Sequence, residues 1–175
     1  LMDVSRLASV LTTLSSQGKN ITVISFGNYT VPGNATTYDV SGQGDKSIVA
    51  YVPTTMYGGW WWGIQNGTEL RVTDTNRDMV AFASGNSICF KSGASDTSTV
   101  FDNIKTINFD AVDTTRVTSA AYAFYNMKSL TTITGLSRWA TSKITTMNSM
   151  FKGCTGLKSL DFSSFNTKNV TDFSS

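Results

Sequence analysis

Histidine is absent from the chain and Glu69 is its single glutamate, which excludes His-based triads, His metal sites and paired-glutamate acid/base designs by inventory. Only Cys89 and Cys154 carry thiols. Two cysteines are too few for a disulfide framework or a zinc site, so they form either one bridge or a pair of small buried hydrophobes. Neither has a basic neighbour in sequence that would lower its pKa and make it a nucleophile. Charge is scarce as well: Asp, Glu, Lys and Arg make up 15% of the chain, and fourteen basic against twelve acidic residues leave a net charge of +2. With no Lys or Arg run, counterion release has little to act on, and neither nucleic acid nor anionic lipid is expected as a partner. No apolar run approaches the roughly 20 residues that cross a bilayer, so no membrane insertion is expected. The stretch from Leu7 to Leu14 is diluted by Thr12 and Thr13, and no convincing cleavage site follows it. The first residue is Leu1 and not Met, as in a processed or excerpted segment.

What is present is a globular composition, 40% hydrophobic, in which Ser, Thr and Asn supply the polarity. At 175 residues the chain is one domain or two small ones and can bury a core without metals or disulfides. A surface hydrated by hydroxyls and amides hints at work outside a cell. Near the N-terminus, Val4, Leu7, Ala8, Leu11 and Leu14 fall on one face at helical spacing, with Asp3 as N-cap and Gly18 as stop. That amphipathic helix serves either its own core or a partner.

From Ile21 to Phe90 the texture changes to short β-type runs: Ile21 to Phe26, Tyr38 to Val40, Ile48 to Val52, Glu69 to Val72, Met79 to Phe82 and Ile88 to Phe90. Pro32-Gly33, Gly42 to Asp45, Asn66-Gly67 and Gly85-Asn86 separate them, Asn-Gly being the strongest hairpin signal. An antiparallel β region is expected here, with Ser92 to Ser98 as the loop that leaves it.

From Ile104 onward the sequence matches itself. Phe124, Met127, Leu130 and Ile133 superpose on Phe151, Cys154, Leu157 and Leu160 at an offset of 27, and Trp139, Thr141, Ile144 and Met147 on Phe165, Thr167, Val170 and Phe173 at 26, with one extra residue near Gly135. The half unit Ile104, Ile107, Phe109, Val112, Thr114 and Val117 lands on Leu157, Leu160, Phe162, Phe165, Thr167 and Val170 at 53, the sum of those two offsets. Fixed periods of 20 to 50 residues mean stacked supersecondary units. Within one unit, Met147, Met150, Phe151, Cys154 and Leu157 step by three or four, which predicts a helical turn, and Leu157, Leu160 and Phe162 predict a short strand. No unit can cover its own apolar face, so neighbours must share one core.

The wording of these units, Thr141-Ser-Lys-Ile-Thr-Thr-Met147, Met150-Phe151, Gly153-Cys154, Leu157-Lys-Ser-Leu160-Asp-Phe162 and Phe165-Asn-Thr167-Lys-Asn-Val170-Thr, resembles the BspA-type leucine-rich-repeat surface proteins over about residues 101–175. Tyr38-Asp-Val-Ser followed by Ile48-Val-Ala-Tyr51 looks like the β lead-in that often precedes such repeats. The resemblance implies a right-handed solenoid, a bacterial-surface or virion-surface location and roles in adhesion or recognition, with no catalytic residues to carry over. The chain departs from the family in holding only about two and a half units and in stopping at Asp172-Phe173-Ser-Ser. A stack cut there exposes Val170 and Phe173, an edge for a continuing chain or another subunit to cover.

The expected fold is therefore α+β: an N-terminal helix and a small antiparallel β region over 1–98, then a short leucine-rich-repeat-like right-handed solenoid over 99–175. Candidate cation loops are weak. Asp74-Thr-Asn76-Arg-Asp78 resembles half of a calcium loop but is followed by Met79 where glycine is needed, and the run from Asp39 to Asp45 works equally as a hairpin loop. No metal, cofactor or catalytic residue is expected. The Asn-x-Ser/Thr sequences at Asn20, Asn28, Asn34, Asn66 and Asn169 are what chance yields in so Asn- and Thr-rich a chain.

The most distinctive cluster is Tyr57-Gly-Gly-Trp60-Trp61-Trp62, either an exposed stacking platform for a glycan or protein ligand or a buried plug between the two parts. Two functions follow. One is a non-enzymatic adhesion or recognition module on a bacterial surface that meets a protein or glycan through its repeat face and aromatic loop. The other is a structural subunit of a phage particle or filament that docks to neighbouring chains through the N-terminal helix and the open repeat end.

Overall fold

The computed structural model describes residues 4–33, 38–39, 47–51, 55–59, 62–73, 80–81, 87–90, 95 and 97–175. The expected N-cap Asp3, the residues Trp60 and Trp61, the run Asp74 to Asp78, most of the run from Asp39 to Asp45 and the turn Gly85-Asn86 lie outside the described residues.

One α-helix, α1 (Val4–Ser16), opens the fold. Leu7, Val10 and Leu14 recur at helical spacing, are fully buried, and join the common core with Leu11. Its apolar stripe is thus used inside the chain and is not free for a partner. The helix ends where the sequence predicts: Gly18 adopts φ +76, Gly18 N–H donates to Ser15 C=O and Lys19 N–H to Leu14 C=O. This Schellman arrangement satisfies carbonyls that the last turn would otherwise leave open.

The strands are β1 (Val23–Phe26), β2 (Tyr38–Asp39), β3 (Ser47–Tyr51), β4 (Thr55–Gly59), β5 (Trp62–Asn66), β6 (Glu69–Thr73), β7 (Val80–Ala81), β8 (Thr106–Phe109), β9 (Val112–Asp113) and β10 (Thr132–Thr134). Eight of them form one sheet in the order β10-β8-β1-β6-β5-β3-β2, with β4 on β3. The fold is accordingly α+β, but the expected antiparallel region is a mixed sheet. The hairpin β5–β6 is antiparallel, turning at Gly67 (φ +58) as Asn66-Gly67 predicts. Strand β1 instead runs parallel to both β6 and β8, and β3 parallel to β5. Proximity in sequence suggested hairpins throughout. What decides β1 is the alignment of its inward residues: Ile24, Leu70 and Ile107 pair in one row, all fully buried, and Phe26, Val72 and Phe109 in the next.

From β8 onward, neighbours in space are one period apart in sequence. β10 pairs parallel to β8 with Thr132 opposite Thr106 and Ile133 opposite Ile107, and single bridges join Ser119 to Thr146 and Thr146 to Asp172. Backbone bonds repeat the relation: Ala120, Tyr122, Phe124 and Asn126 N–H donate to the carbonyls of Thr146, Asn148, Met150 and Lys152 at 2.8–3.0 Å. Rings stack along the same direction, Phe90 on Phe124 (5.7 Å), Phe124 on Phe151 (5.2 Å) and Trp139 on Phe165 (6.0 Å).

The helical turn expected in each unit is absent. Tyr122 and Ser149, one period apart, have positive φ, as do Asn126 and Gly153, also one period apart. Two left-handed residues per unit break any α-helix, and the chain proceeds by separate i→i+3 turns, such as Met150 N–H to Met147 C=O and Cys154 N–H to Phe151 C=O. A residue every three or four positions faces the core either way, so the spacing alone could not distinguish the two. The strand expected over Leu157 to Phe162 is also missing. Leu157 and Leu160 there are only half-buried, where Leu130 one period earlier is fully buried. Among the described residues the only other helical piece is the 3₁₀ turn Leu136–Arg138 after Gly135.

Candidate functional site

Two surfaces combine chemistry with accessibility. The first is the outer face of the parallel strands. Alternation that turns Ile24, Leu70 and Ile107 inward turns Glu69, Ser25, Arg71, Asn108 and Thr134 outward. These side chains are bonded across the sheet: Arg71 Nε donates to Glu69 (2.7 Å), Ser25 Oγ donates to Glu69 Oε2 (2.9 Å), Asn108 Nδ2 donates to Ser25 Oγ (3.0 Å) and Thr134 Oγ1 donates to Asn108 Oδ1 (2.8 Å).

Tyr29 closes one end of the row. Its hydroxyl donates to Asp110, its ring lies about 5.1 Å from the Arg71 guanidinium carbon, and its backbone N–H donates to Thr73 Oγ1. The ring passes so close over Gly27 that a Cβ there would sit 2.9 Å from it, so glycine is what lets the aromatic ring lie flat. Burial, then the hydrogen bond to Asp110 and that carboxylate's charge, hold the Tyr29 phenol well above its ordinary range. The result is a rigid row of amide, hydroxyl, carboxylate, guanidinium and phenol across four strands, with its rotamers fixed in advance of any ligand. Sequence reasoning missed this row because no spacing in the chain announces it. The alternation within Val23-Ile-Ser-Phe26 and Thr106-Ile-Asn-Phe109 was the available signal.

The second surface is the far end of the repeating segment. Burial falls off there unit by unit. Phe124, Met127, Leu130 and Ile144 are fully buried, whereas their counterparts Phe151, Cys154, Leu157 and Val170 are half-buried. Phe162 is 40% exposed and Phe173 59%, while Phe109, the counterpart of Phe162, is 0%. A hollow of about 710 Å³ opens among Met147, Phe151, Phe162, Phe165, Thr167 and Phe173. The remaining repeat-core position, Ile133, is half-buried on β10.

Of the aromatic cluster, Tyr57 belongs to β4 and Trp62 opens β5. The same stacking begins earlier than the self-match in sequence. Ser87 bridges to Ser119, Ile88 N–H donates to Ser119 C=O and Phe90 N–H to Ala123 C=O, so residues 87–90 form a rung before the first full unit. An irregular offset of 31 to 33 hid them from the alignment.

Neither cysteine is in a disulfide, which resolves the open choice between bridge and thiols. Cys154 Sγ donates to Phe124 C=O (2.8 Å), and burial pushes its pKa up to about 11 against a partial offset from the Met127 backbone. A raised thiol pKa stabilises the fold below pH 9, and that contribution is lost as pH rises from 9 through 11. Denaturation midpoints at pH 8 and pH 11 are therefore expected to show the advantage of the wild type over C154A shrinking at the higher pH; an unchanged gap would place the thiol in water. Among the described residues no three His, Cys, Asp or Glu side chains gather where they could hold a metal ion, and no helix is long and apolar enough to cross a membrane.

Residues 95–175 match the model of a family described as a Mycoplasma protein of unknown function, DUF285. No curated protein and no solved structure matches the chain.

Proposed function

We propose that this chain is a non-enzymatic recognition module displayed on a bacterial surface, and that residues 101–175 are a short right-handed leucine-rich-repeat solenoid of the BspA type whose outer sheet face and Tyr57 to Trp62 loop meet a protein or glycan. The observation that carries the reading is the pairing of residues one period apart, Ile107 beside Ile133 and Ser119 beside Thr146 beside Asp172. A chain that stacks equivalent units in parallel builds a wide, flat face from few residue types, and such faces suit contact with extended partners. The preformed row from Arg71 to Thr134 supplies hydrogen-bonding groups already ordered, which lowers the entropic cost of binding. Neither buried His nor Glu pairs compete with this reading.

The test is binding of the full chain to an array of bacterial and animal glycans and to immobilised extracellular-matrix proteins. Saturable binding is expected, weakened at least about tenfold by replacing Trp60 and Trp62 together with alanine, since aromatic anchors at an interface carry about 2 kcal/mol or more. R71A is expected to weaken it several-fold. Absence of saturable binding to either array, or binding indifferent to both changes, refutes the proposal.

The exposed Phe162 and Phe173 rings favour a second reading, a structural subunit of a virion or extracellular filament that assembles through this end. Ordered, concentration-dependent assembly without any added ligand would support it over the first.

A further inference from the structure

We propose that the outer face of strands β6, β1, β8 and β10 is a binding site for a neutral, extended glycan that lies across the strands. The proposal rests on the recognition-module reading and narrows it to one face and one class of ligand.

Strand register sets the shape of the face. Arg71, Ser25, Asn108 and Thr134 stand opposite one another in one row. Glu69, Val23, Thr106 and Thr132 form the next, two residues nearer the strand starts. Alternation turns both rows to the same side, over a patch of roughly 14 by 7 Å from the usual strand and residue spacings. Strand β1 lies between β6 and β8, and β8 between β1 and β10. The backbone groups in the middle of the patch are therefore used within the sheet, and a ligand meets side chains there and not a strand edge.

Hydrogen-bond directions along the face are fixed before a ligand arrives. The Thr134 hydroxyl donates to Asn108 and the Ser25 hydroxyl to Glu69, so both protons are spent inside the row. Arg71 Nε and one Nδ2 hydrogen of Asn108 are spent likewise. Left without a partner among the described residues are the terminal guanidinium nitrogens of Arg71, the second Nδ2 hydrogen of Asn108 and the hydroxyl of Thr106. Glu69 and Thr134 keep spare lone pairs. Free donors thus adjoin free acceptors, an arrangement met by hydroxyls that each donate and accept. Val23, half-buried between Glu69 and Thr106, offers the C–H side of a sugar ring an apolar seat.

Charge selects against other ligand classes. An anion approaching Arg71 would meet Glu69, bonded to the same guanidinium at 2.7 Å, and the exposed Asp110 that accepts from Tyr29 beside it. A cation drawn to those carboxylates would meet the Arg71 side chain, which is 50% exposed. Neutral hydroxyls suit both signs. An extended peptide gains most of its affinity by pairing with a strand edge, which the middle of this face does not present. In an extended glycan, by contrast, successive rings repeat at close to the strand spacing, so each ring meets a fresh pair of side chains.

The experiment titrates the full chain with cellohexaose, xylohexaose, mannohexaose and N-acetylchitohexaose, following backbone amide shifts by NMR and affinity by calorimetry. At least one is expected to bind saturably, with the largest shifts at residues 23–25, 106–108 and 132–134. T106V, which removes a hydroxyl without an internal partner, is expected to keep the wild-type melting temperature and weaken that binding about two- to tenfold, the range of one hydrogen bond. T106S, which keeps the hydroxyl, restores it. If T106V does not fold, the shift map decides alone. The glycan site is overturned if none of the four binds, if a heparin hexasaccharide or hexalysine binds more tightly, if the shifts avoid these three strands, or if T106V retains wild-type affinity. Should the glycans fail while a matrix protein still binds in a manner sensitive to R71A, only the glycan site falls. Should neither bind, the recognition-module reading falls with it.

Discussion

Replacing Gly135 with alanine is expected to destabilise the chain by roughly 3–5 kcal/mol, the range reached when strain and an immovable clash coincide. Gly135 adopts φ +80, where an L side chain is disfavoured by about 1–2 kcal/mol. Its Cβ would also fall 2.0 Å from the carbonyl oxygen and 2.8 Å from the carbonyl carbon of Phe109. Those atoms are backbone of the preceding unit at the end of β8, so no rotamer change relieves the overlap, and β10 would have to move away from β8. Gly67 supplies the control, with φ +58 and nothing within 4 Å of its Cβ position. G67A is expected to cost only the backbone term, about 1 kcal/mol. Urea midpoints of the two variants separate close approach between units from local strain. Were G135A no worse than G67A, the units would not lie as near to each other as the bonds between them require.

The second large effect is at Phe124, which is fully buried between Phe90 and Phe151 and edge-on to Phe109. F124A removes the middle ring of a column and leaves a cavity that neighbours on both sides hold open, at a cost of about 3–5 kcal/mol. F151A removes the chemically identical ring one period later, but that ring is half-buried at the edge of the hollow, where water can take its place. About 1–2 kcal/mol is expected there. Thermal melts followed by Trp139 fluorescence would rank the pair, because Trp139 stacks on Phe124 at 6.0 Å. Equal losses would mean that Phe151 is as deeply buried in solution as Phe124.

Three of the sequence expectations concern elements that local chemistry fixes. Helix α1 and its stop at Gly18 were legible because apolar spacing and a left-handed glycine act within a few residues. The β5–β6 hairpin was legible for the same reason, through Asn66-Gly67. The period of 26 to 27 residues was legible because stacked units must repeat their inward side chains, and Ile107 opposite Ile133 is that requirement in space. The helical turn expected from Met147 to Leu157 failed because a three-to-four spacing fits successive turns as well as a helix. Of the left-handed residues that decide between them, Asn126 and Gly153 are types that favour a positive φ, but Tyr122 and Ser149 are not.

The sequence by itself determined the composition, helix α1, the tight hairpin and the repeat, since each follows from interactions between residues near one another or from a pattern that copies itself. Tertiary structure alone decided that β1 runs parallel between β6 and β8, that residues 87–90 pair with residues 119–123, and that Tyr29 meets Asp110 across 81 positions of chain. Those outcomes depend on which distant strands align their buried rows and on which surfaces find a neighbour. Such choices are settled by burial summed over the whole core, and no local signal along the chain encodes them.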